Sequence, residues 1–241
     1  MHVQFPAGSA CAQVDIDAAI VDLDGTMVDT IGDFAEAITR MLGDLQLPAI
    51  EAARIQHMVG KGTEHLLRSV LAHVLHAQGV AEGALPAAVE QHFAQASARY
   101  HHHYIAINGQ YSAVYAGVKE GLQQLKSAGV RLACVTNKPM AFTTPLLAAK
   151  GLDGLFEQVF GGDSFAKKKP DPMPLLKTCE ALGSTPSRTL MVGDSSNDAQ
   201  AARAAGCPVL LVTYGYNHGE PVQAVGADAL VDSLAQLRIA A

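Results

Sequence analysis

Asp22 and Asp24 stand two positions apart, after the apolar run Ala18-Ala19-Ile20-Val21 and before the pair Gly25-Thr26. Two carboxylates that close repel, so one tends to hold a proton unless a cation lies nearby. That pairing suits chemistry needing one ionised nucleophile and one proton donor. Asp-x-Asp-Gly also occurs as a plain surface turn, since Asp and Gly are turn formers. The stretch therefore gains meaning only from what accompanies it.

Three further segments supply suitable partners. Val135-Thr136-Asn137-Lys138 offers a hydroxyl and an amide, both able to bond a phosphoryl oxygen. Lys169-Pro170-Asp171-Pro172 sets a cation in a loop stiffened by two prolines. Gly193-Asp194-Ser195-Ser196-Asn197-Asp198 adds two carboxylates between a strand end and a helix start. Each alone has a bland reading: Asn137 as a turn residue, Lys169 as a solvated charge, Asn197 or Asp198 as a helix cap. Together Asp22, Asp24, Asp194 and Asp198 bring up to four negative charges into one place. Two unit charges about 4 Å apart repel by roughly 4 kcal/mol at an effective dielectric of 20. A divalent cation and Lys169 would offset this, and an all-oxygen donor set beside a phosphorylated substrate favours Mg²⁺.

The elements that must position these groups follow from the pattern around them. The run at 18–21 has few polar residues, as expected for a strand buried on both faces of a parallel sheet. Strands are likewise expected at 131–136, 158–160, 189–194, 209–213 and 229–231. Helices are expected at 118–128, 172–182 and 198–205, each followed by glycine, with another running through Pro145 to Lys150 and a closing helix at 233–238. Alternating strands and helices predict an α/β, doubly wound, Rossmann-like parallel sheet. Ligands bind such sheets at the carboxyl ends of the strands, where all four segments lie.

One spacing is anomalous: Thr136 follows Asp22 by about 110 residues, whereas a βαβ unit needs roughly 30. The surplus has helical periodicity. Ile31, Phe34, Ala35, Ile38, Met41, Leu42 and Leu45 form one stripe up to Pro48. Leu66, Leu67, Val70, Leu71, Val74 and Leu75 form a second beyond the Gly60-Lys61-Gly62 break. Val89, Phe93, Ala96, Tyr100 and Tyr104 form a third after Pro86. The expected division is a discontinuous core, 14–28 and 109–241, with an inserted helical cap domain, 29–108, lying over the crevice as a lid.

Composition excludes several classes. The 241 residues carry net charge −6 and 49% apolar residues, enough for a sizeable core. The longest basic run is Lys167-Lys168-Lys169, so no nucleic-acid-binding face is expected. No apolar stretch approaches the ~18 residues of a membrane helix. The first 17 residues lack a basic start and an apolar centre, so they are expected to be a loose leader and not a signal peptide. Cys11, Cys134, Cys179 and Cys207 are scattered, as expected of reduced thiols in a cytoplasmic protein. His101-His102-His103 cannot converge on one metal, because successive helical residues diverge.

In combination and order, the four segments resemble the haloacid dehalogenase superfamily, across residues 18–213. Its phosphatases carry a DxDGT motif, a Thr or Ser at a second strand end, a Lys at a third and GD(S/T)xxD at a fourth. The resemblance implies that Asp22 is the nucleophile forming an aspartyl-phosphate, and that Asp24 is the general acid and base. It implies a phosphate and substrate site of Gly25, Thr26, Thr136, Asn137 and Lys169. Asp22, the Asp24 carbonyl and Asp194 would hold Mg²⁺, with Asp198 supporting the metal from behind. Val59-Gly60-Lys61-Gly62, Asn108-Gly109, Tyr115-Ala116-Gly117-Val118 and Thr213-Tyr214-Gly215-Tyr216 are similar to the phosphoglycolate-hydrolysing branch. Val21 and Met27 depart from that branch, which usually has an aromatic and a Leu there. The expected partner is a small phosphorylated metabolite, acted on by a monomer or homodimer. The alternatives are a phosphosugar phosphatase, a phosphomutase, a halide-removing enzyme or a phospho-acceptor signalling domain. A phosphomutase further needs cap residues that hold a bisphosphate, halide removal needs neither Asp24 nor Asp194, and signalling domains carry their acceptor on a later strand and have no such long insertion.

Overall fold

The computed structural model describes residues 1–6 and 9–240; Ala7 and Gly8 of the expected leader, and Ala241 of the expected core, lie outside the described residues. The chain opens with β1 (His2–Gln4) and β2 (Gln13–Asp15), then enters the buried strand β3 (Ala18–Val21). A short β4 (Val28–Asp29) leads into the helices α1 (Ile31–Asp44), α2 (Ala52–Gln56), α3 (Thr63–Ala77) and α4 (Leu85–Ile107). The return is β5 (Ala113–Val114), which pairs antiparallel with β4. From there strands and helices alternate. They are α5 (Val118–Ser127), β6 (Arg131–Val135), α6 (Met140–Ala149), β7 (Gln158–Phe160), α7 (Met173–Leu182), β8 (Thr189–Gly193), α8 (Ser196–Ala205), β9 (Val209–Val212) and β10 (Ala229–Val231).

Six strands form one sheet in the order β10-β9-β8-β3-β6-β7, all pairs parallel. β3, the carrier of Asp22 and Asp24, lies between β6 and β8, with Val21 in register with Cys134 and Val192. All four β3 residues are buried, as the sequence pattern requires of a strand covered on both faces. Apolar side chains pack on each side: Ala19, Val21, Leu132, Val192 and Leu210 on one, Ile20, Met191, Val209 and Leu211 on the other. The helices α1, α3 and α4 build a separate apolar cluster, which Phe142 from α6 and Tyr216 from the loop after β9 also join. No helix among the described residues is long and apolar enough to cross a membrane.

Two expectations fail at the chain ends. The closing helix is absent: Leu234–Gln236 is a single 3₁₀ turn, and Arg238–Ala240 forms β11. Leu234 and Leu237 are both buried, at a spacing that mimics one helical face, yet the open edge of β1 offers backbone partners. Nor are the first residues a loose leader. β1 sits between β11 and β2 in an antiparallel sheet, and Val3, Phe5 and Ile16 join the main core cluster. Strands of three residues are too short for periodicity to announce them.

This packing has a measurable consequence. Val3 is fully buried, so Val3→Asp places an unpaired charge in the core and should lower the unfolding free energy by about 3–5 kcal/mol. Urea denaturation checks it; an unchanged midpoint would mean that the first strand does not pack.

Candidate active site

Asp22 and Asp24 leave the carboxyl end of β3 and line a cavity with Thr136, Asn137 and Lys138 from the end of β6, and Asp194 and Ser195 from the end of β8. Phe34, Val59, Gly60, Gly62, Thr63 and Leu66 from the helical layer close the other side, with Phe142, Tyr216, Asn217 and His218. The expected strand ends thus meet at one crevice.

Lys169 lies beneath it, 3% exposed. Its Nζ contacts Asp22 Oδ1 at 3.0 Å and donates to Asp198 Oδ1 at 2.7 Å and the Val135 carbonyl at 2.8 Å. Burial pulls the ammonium down, but the charges of Asp198 and Asp22 outweigh it and hold the group above its ordinary value. Lys169 is therefore a fixed counter-charge, all of whose protons point at protein oxygens.

Asp198 is equally committed. It occupies the first turn of α8, and its Oδ2 accepts from the backbone N–H groups of Asp194 and Ser195 and from the Ser195 hydroxyl, at 3.2, 3.1 and 2.8 Å. An acidic side chain is favoured at that helix start. Both of its oxygens have partners, so it supports Lys169 and the Asp194 backbone from behind.

Asp194 is shaped from the opposite side. Thr26 Oγ1 donates to its Oδ1 at 3.1 Å and the Tyr216 N–H to its Oδ2 at 2.7 Å. Gly25 and Thr26, expected at the phosphate, are thus placed against Asp194. Gly25 has φ +81°, and a Cβ there would lie 2.4 Å from Asp194 Oδ2. A Cβ on Gly215 would come within 2.1 Å of the Asp194 Cβ.

Asp22, Asp194 and Asp198 each offer a carboxylate oxygen within 4.8 Å of the others. Burial above all, opposed by Lys169 and reinforced by Asp198, pushes Asp22 up to about 7. Burial, then the charges of Asp198 and Asp22, drives Asp194 well above the usual carboxylate range. One ammonium does not neutralise three carboxylates, two of them buried and Asp22 nearly so. The Asp24 carbonyl accepts no hydrogen bond among the described residues. A free carbonyl beside under-compensated carboxylates fits a small, hard divalent cation.

Asn137 lines the cavity, and its side chain bonds protein groups. Its Nδ2 donates to the Gly60 carbonyl at 3.0 Å and the Lys169 carbonyl at 2.8 Å, while its Oδ1 accepts from the Lys169 N–H at 3.0 Å. It clamps the Lys169 loop to β6 and holds the α2–α3 loop against the core. Asn197 shares that carbonyl, donating to Gly60 at 3.1 Å.

Other residues were not singled out by motif. Lys138 Nζ donates to Asp24 Oδ1 at 3.1 Å, and the Thr30 hydroxyl donates to the same oxygen at 2.8 Å. Asp33 is fully buried and accepts from the Gly109 and Tyr111 N–H groups at 2.8 and 2.7 Å, tying the start of α1 to the return from α4. The Tyr216 hydroxyl accepts from the Thr30 N–H and donates to Asp29 at 2.9 Å. The sequence did hold a signal for Lys138, a lone charge between a strand end and a proline in the Thr136 segment. The triple histidine divides as well: His103 bonds Asp44 at 2.8 Å, and His101 Nδ1 the Ser97 carbonyl at 2.7 Å.

A parallel sheet with this acid cluster at its strand ends defines a class of hydrolase, and the chain belongs to the haloacid dehalogenase-like hydrolase family, whose model matches residues 19–212. It is 44% identical over 232 residues to a phosphoglycolate phosphatase of Thiobacillus denitrificans, covering 96% of this chain and 95% of that protein. A phosphoglycolate phosphatase of Nitrosospira multiformis is 45% identical over 234 residues, covering 97% and 95%. Among solved structures, a predicted phosphoglycolate phosphatase from Haemophilus somnus superposes with a TM-score of 0.84 at 33% identity, covering 91% of this chain and 95% of that one.

The Asn137 clamp is open to a direct check. Asn137→Ala leaves the buried Lys169 N–H without its acceptor, so stability should fall by about 1–3 kcal/mol. Chemical denaturation reads this; a loss near zero would show the clamp to be dispensable.

Proposed function

We propose that this crevice hydrolyses 2-phosphoglycolate to glycolate and phosphate, with Mg²⁺ as cofactor and Asp22 as nucleophile. That the chain is a phosphoric monoester hydrolase follows from its family and from curated relatives matched over nearly its whole length. The substrate is taken from the names of those relatives. The observation that carries the mechanism is the Asp22–Lys169–Asp198 group, whose Asp22 lines the cavity together with Asp24.

In this reading an Asp22 carboxylate oxygen attacks phosphorus as the bond to the leaving oxygen breaks, and Asp24 gives that oxygen its proton. Water then attacks the aspartyl-phosphate, Asp24 takes the water's proton, phosphate leaves and Asp22 is restored. The phosphoryl oxygens are received by the Thr136 hydroxyl and by the backbone N–H groups of Asp24 and Asn137, which donate to nothing among the described residues. Asp22, Asp194 and the Asp24 carbonyl would hold the cation, with Asp198 behind them. When bound, it supplies positive charge that keeps both carboxylates ionised and draws electron density from the phosphoryl group. Residues 29–108 act as a cap that excludes water, on a core of 14–28 and 109–241 to which the terminal strands add. Four free cysteines are compatible with a reducing compartment, and we place the reaction in the cytoplasm.

Asp22→Asn keeps the shape and removes the nucleophile, so kcat should fall at least about 10³-fold with folding retained; near-normal turnover would sink the mechanism. Chelation should abolish activity, Mg²⁺ should restore it, and Ca²⁺, which prefers longer bonds and more ligands, should restore little. Full activity in chelator would remove the metal from the reading. Asp24→Asn should be nearly inactive on phosphoglycolate. With nitrophenyl phosphate, whose leaving group needs no acid, it should give a burst of about one equivalent and then stall as the aspartyl-phosphate. Rapid mixing with intact-mass measurement follows both phases, and steady turnover without mass gain would refute the role of Asp24.

A further inference from the structure

Hydrolysis of a phosphomonoester does not by itself require a second buried ammonium, yet Lys138 is 4% exposed at the crevice. Its Nζ reaches both Asp24 oxygens, at 3.1 and 3.4 Å, and the Tyr104 hydroxyl at 2.5 Å. It lies 4.4 Å from the centre of the Phe34 ring and 4.7 Å from that of Tyr104. Aromatic faces stabilise a cation that has left water.

The charge pattern of the cavity singles this group out. Lys169 lies beneath the cavity and does not line it. Burial, and then the charge of Lys61, lowers His218 from its ordinary value, which disfavours its cationic form. Lys138 is the one lysine or arginine among the described lining residues. Phe34, which lies against it, and Val59, Leu66 and Phe142 give the cavity an apolar lining. Hydroxyls of a polyol laid against that lining would lose water without replacement, whereas a single anion on the ammonium would not.

Geometry fixes what part of a substrate meets it. A leaving oxygen protonated by Asp24 lies within hydrogen-bond reach of that carboxylate. Lys138 shares the same carboxylate, so the atoms next to the leaving oxygen fall beside its Nζ. We propose that Lys138 is the specificity-determining residue, binding a carboxylate carried one carbon from the leaving oxygen, so that the site selects phosphate esters of short 2-hydroxy acids. This rests on the phosphatase reading above and deepens it. It gives the ammonium two roles, holding Asp24 in place and receiving the anionic end of the leaving group.

The test compares 2-phosphoglycolate with 2-hydroxyethyl phosphate, which replaces the carboxylate with a neutral alcohol. Wild type, Lys138→Gln and Lys138→Arg are assayed with Mg²⁺. Wild type should favour phosphoglycolate by about 100-fold in kcat/KM, the scale of a desolvated charged hydrogen bond. Lys138→Gln should reduce that preference to about threefold, mainly through the KM for phosphoglycolate, and Lys138→Arg should retain most of it. Equal losses on both esters would make Lys138 only a holder of Asp24 and overturn the inference. So would a wild type without preference. A crystal structure of the wild type with glycolate and orthovanadate does not depend on whether the variants fold. It should place the glycolate carboxylate within hydrogen-bond distance of Lys138 Nζ, and a carboxylate bound elsewhere would overturn the proposal. If wild type hydrolyses neither ester, the phosphatase reading itself fails. If wild type is selective and Lys138→Gln equally so, the assignment of Lys138 fails alone.

Discussion

The buried ammonium of Lys169, held between Asp22 and Asp198, is the contact on which the site depends. Removing charged groups from water costs several kcal/mol per ion, and the cost is recovered only where geometry and hydrogen bonding are complete. Here they are complete on the lysine and on Asp198, and incomplete on Asp22 and Asp194. The imbalance leaves the crevice short of positive charge. It also explains why so much surrounding structure serves to hold carboxylates in place.

That holding is distributed along the chain. The Gly193–Asp198 turn wraps the Asp198 carboxylate with N–H donors at a helix start. Thr26 and Tyr216 fix Asp194 from opposite directions, and Gly25 and Gly215 leave room for it. Asn137 ties the Lys169 loop to β6 through both of its amide ends. Several of these residues look, from their motif, as if they should touch substrate. Their side chains orient groups that face the cavity, as rigid catalytic geometry demands.

The helical layer is joined to this machinery at a few polar points. Gly60 offers its carbonyl to Asn137 and Asn197, and Tyr216 connects Asp194 to the start of α1 through Thr30 and Asp29. Asp33 closes the loop by binding the chain where it returns from α4. A motion of the helices would therefore be felt at Asp194 and at the Lys169 loop. Asn217 and His218 have φ of 34° and 54°, a conformation costly for residues other than glycine. They sit in the cavity wall, at the contact between the two layers.

The sequence by itself determined the parallel sheet, the inserted helices, the strand ends at which Asp22, Asp24, Thr136 and Asp194 stand, and the proline-flanked loop that carries Lys169. Those features are local: apolar runs of strand length, helical stripes, glycine stops and short motifs each impose their geometry over a few residues. Only the tertiary structure decided which oxygen each side chain meets. Thr26 and Asn137 turned toward Asp194 and Lys169, and Lys138 reached Asp24, more than a hundred residues earlier in the chain. It also decided the fate of the chain ends. Three-residue strands carry no period of their own and exist because β1 presents an edge to β2 and β11. Hydrogen bonds between distant segments depend on where whole elements come to rest, and a linear pattern holds no record of that.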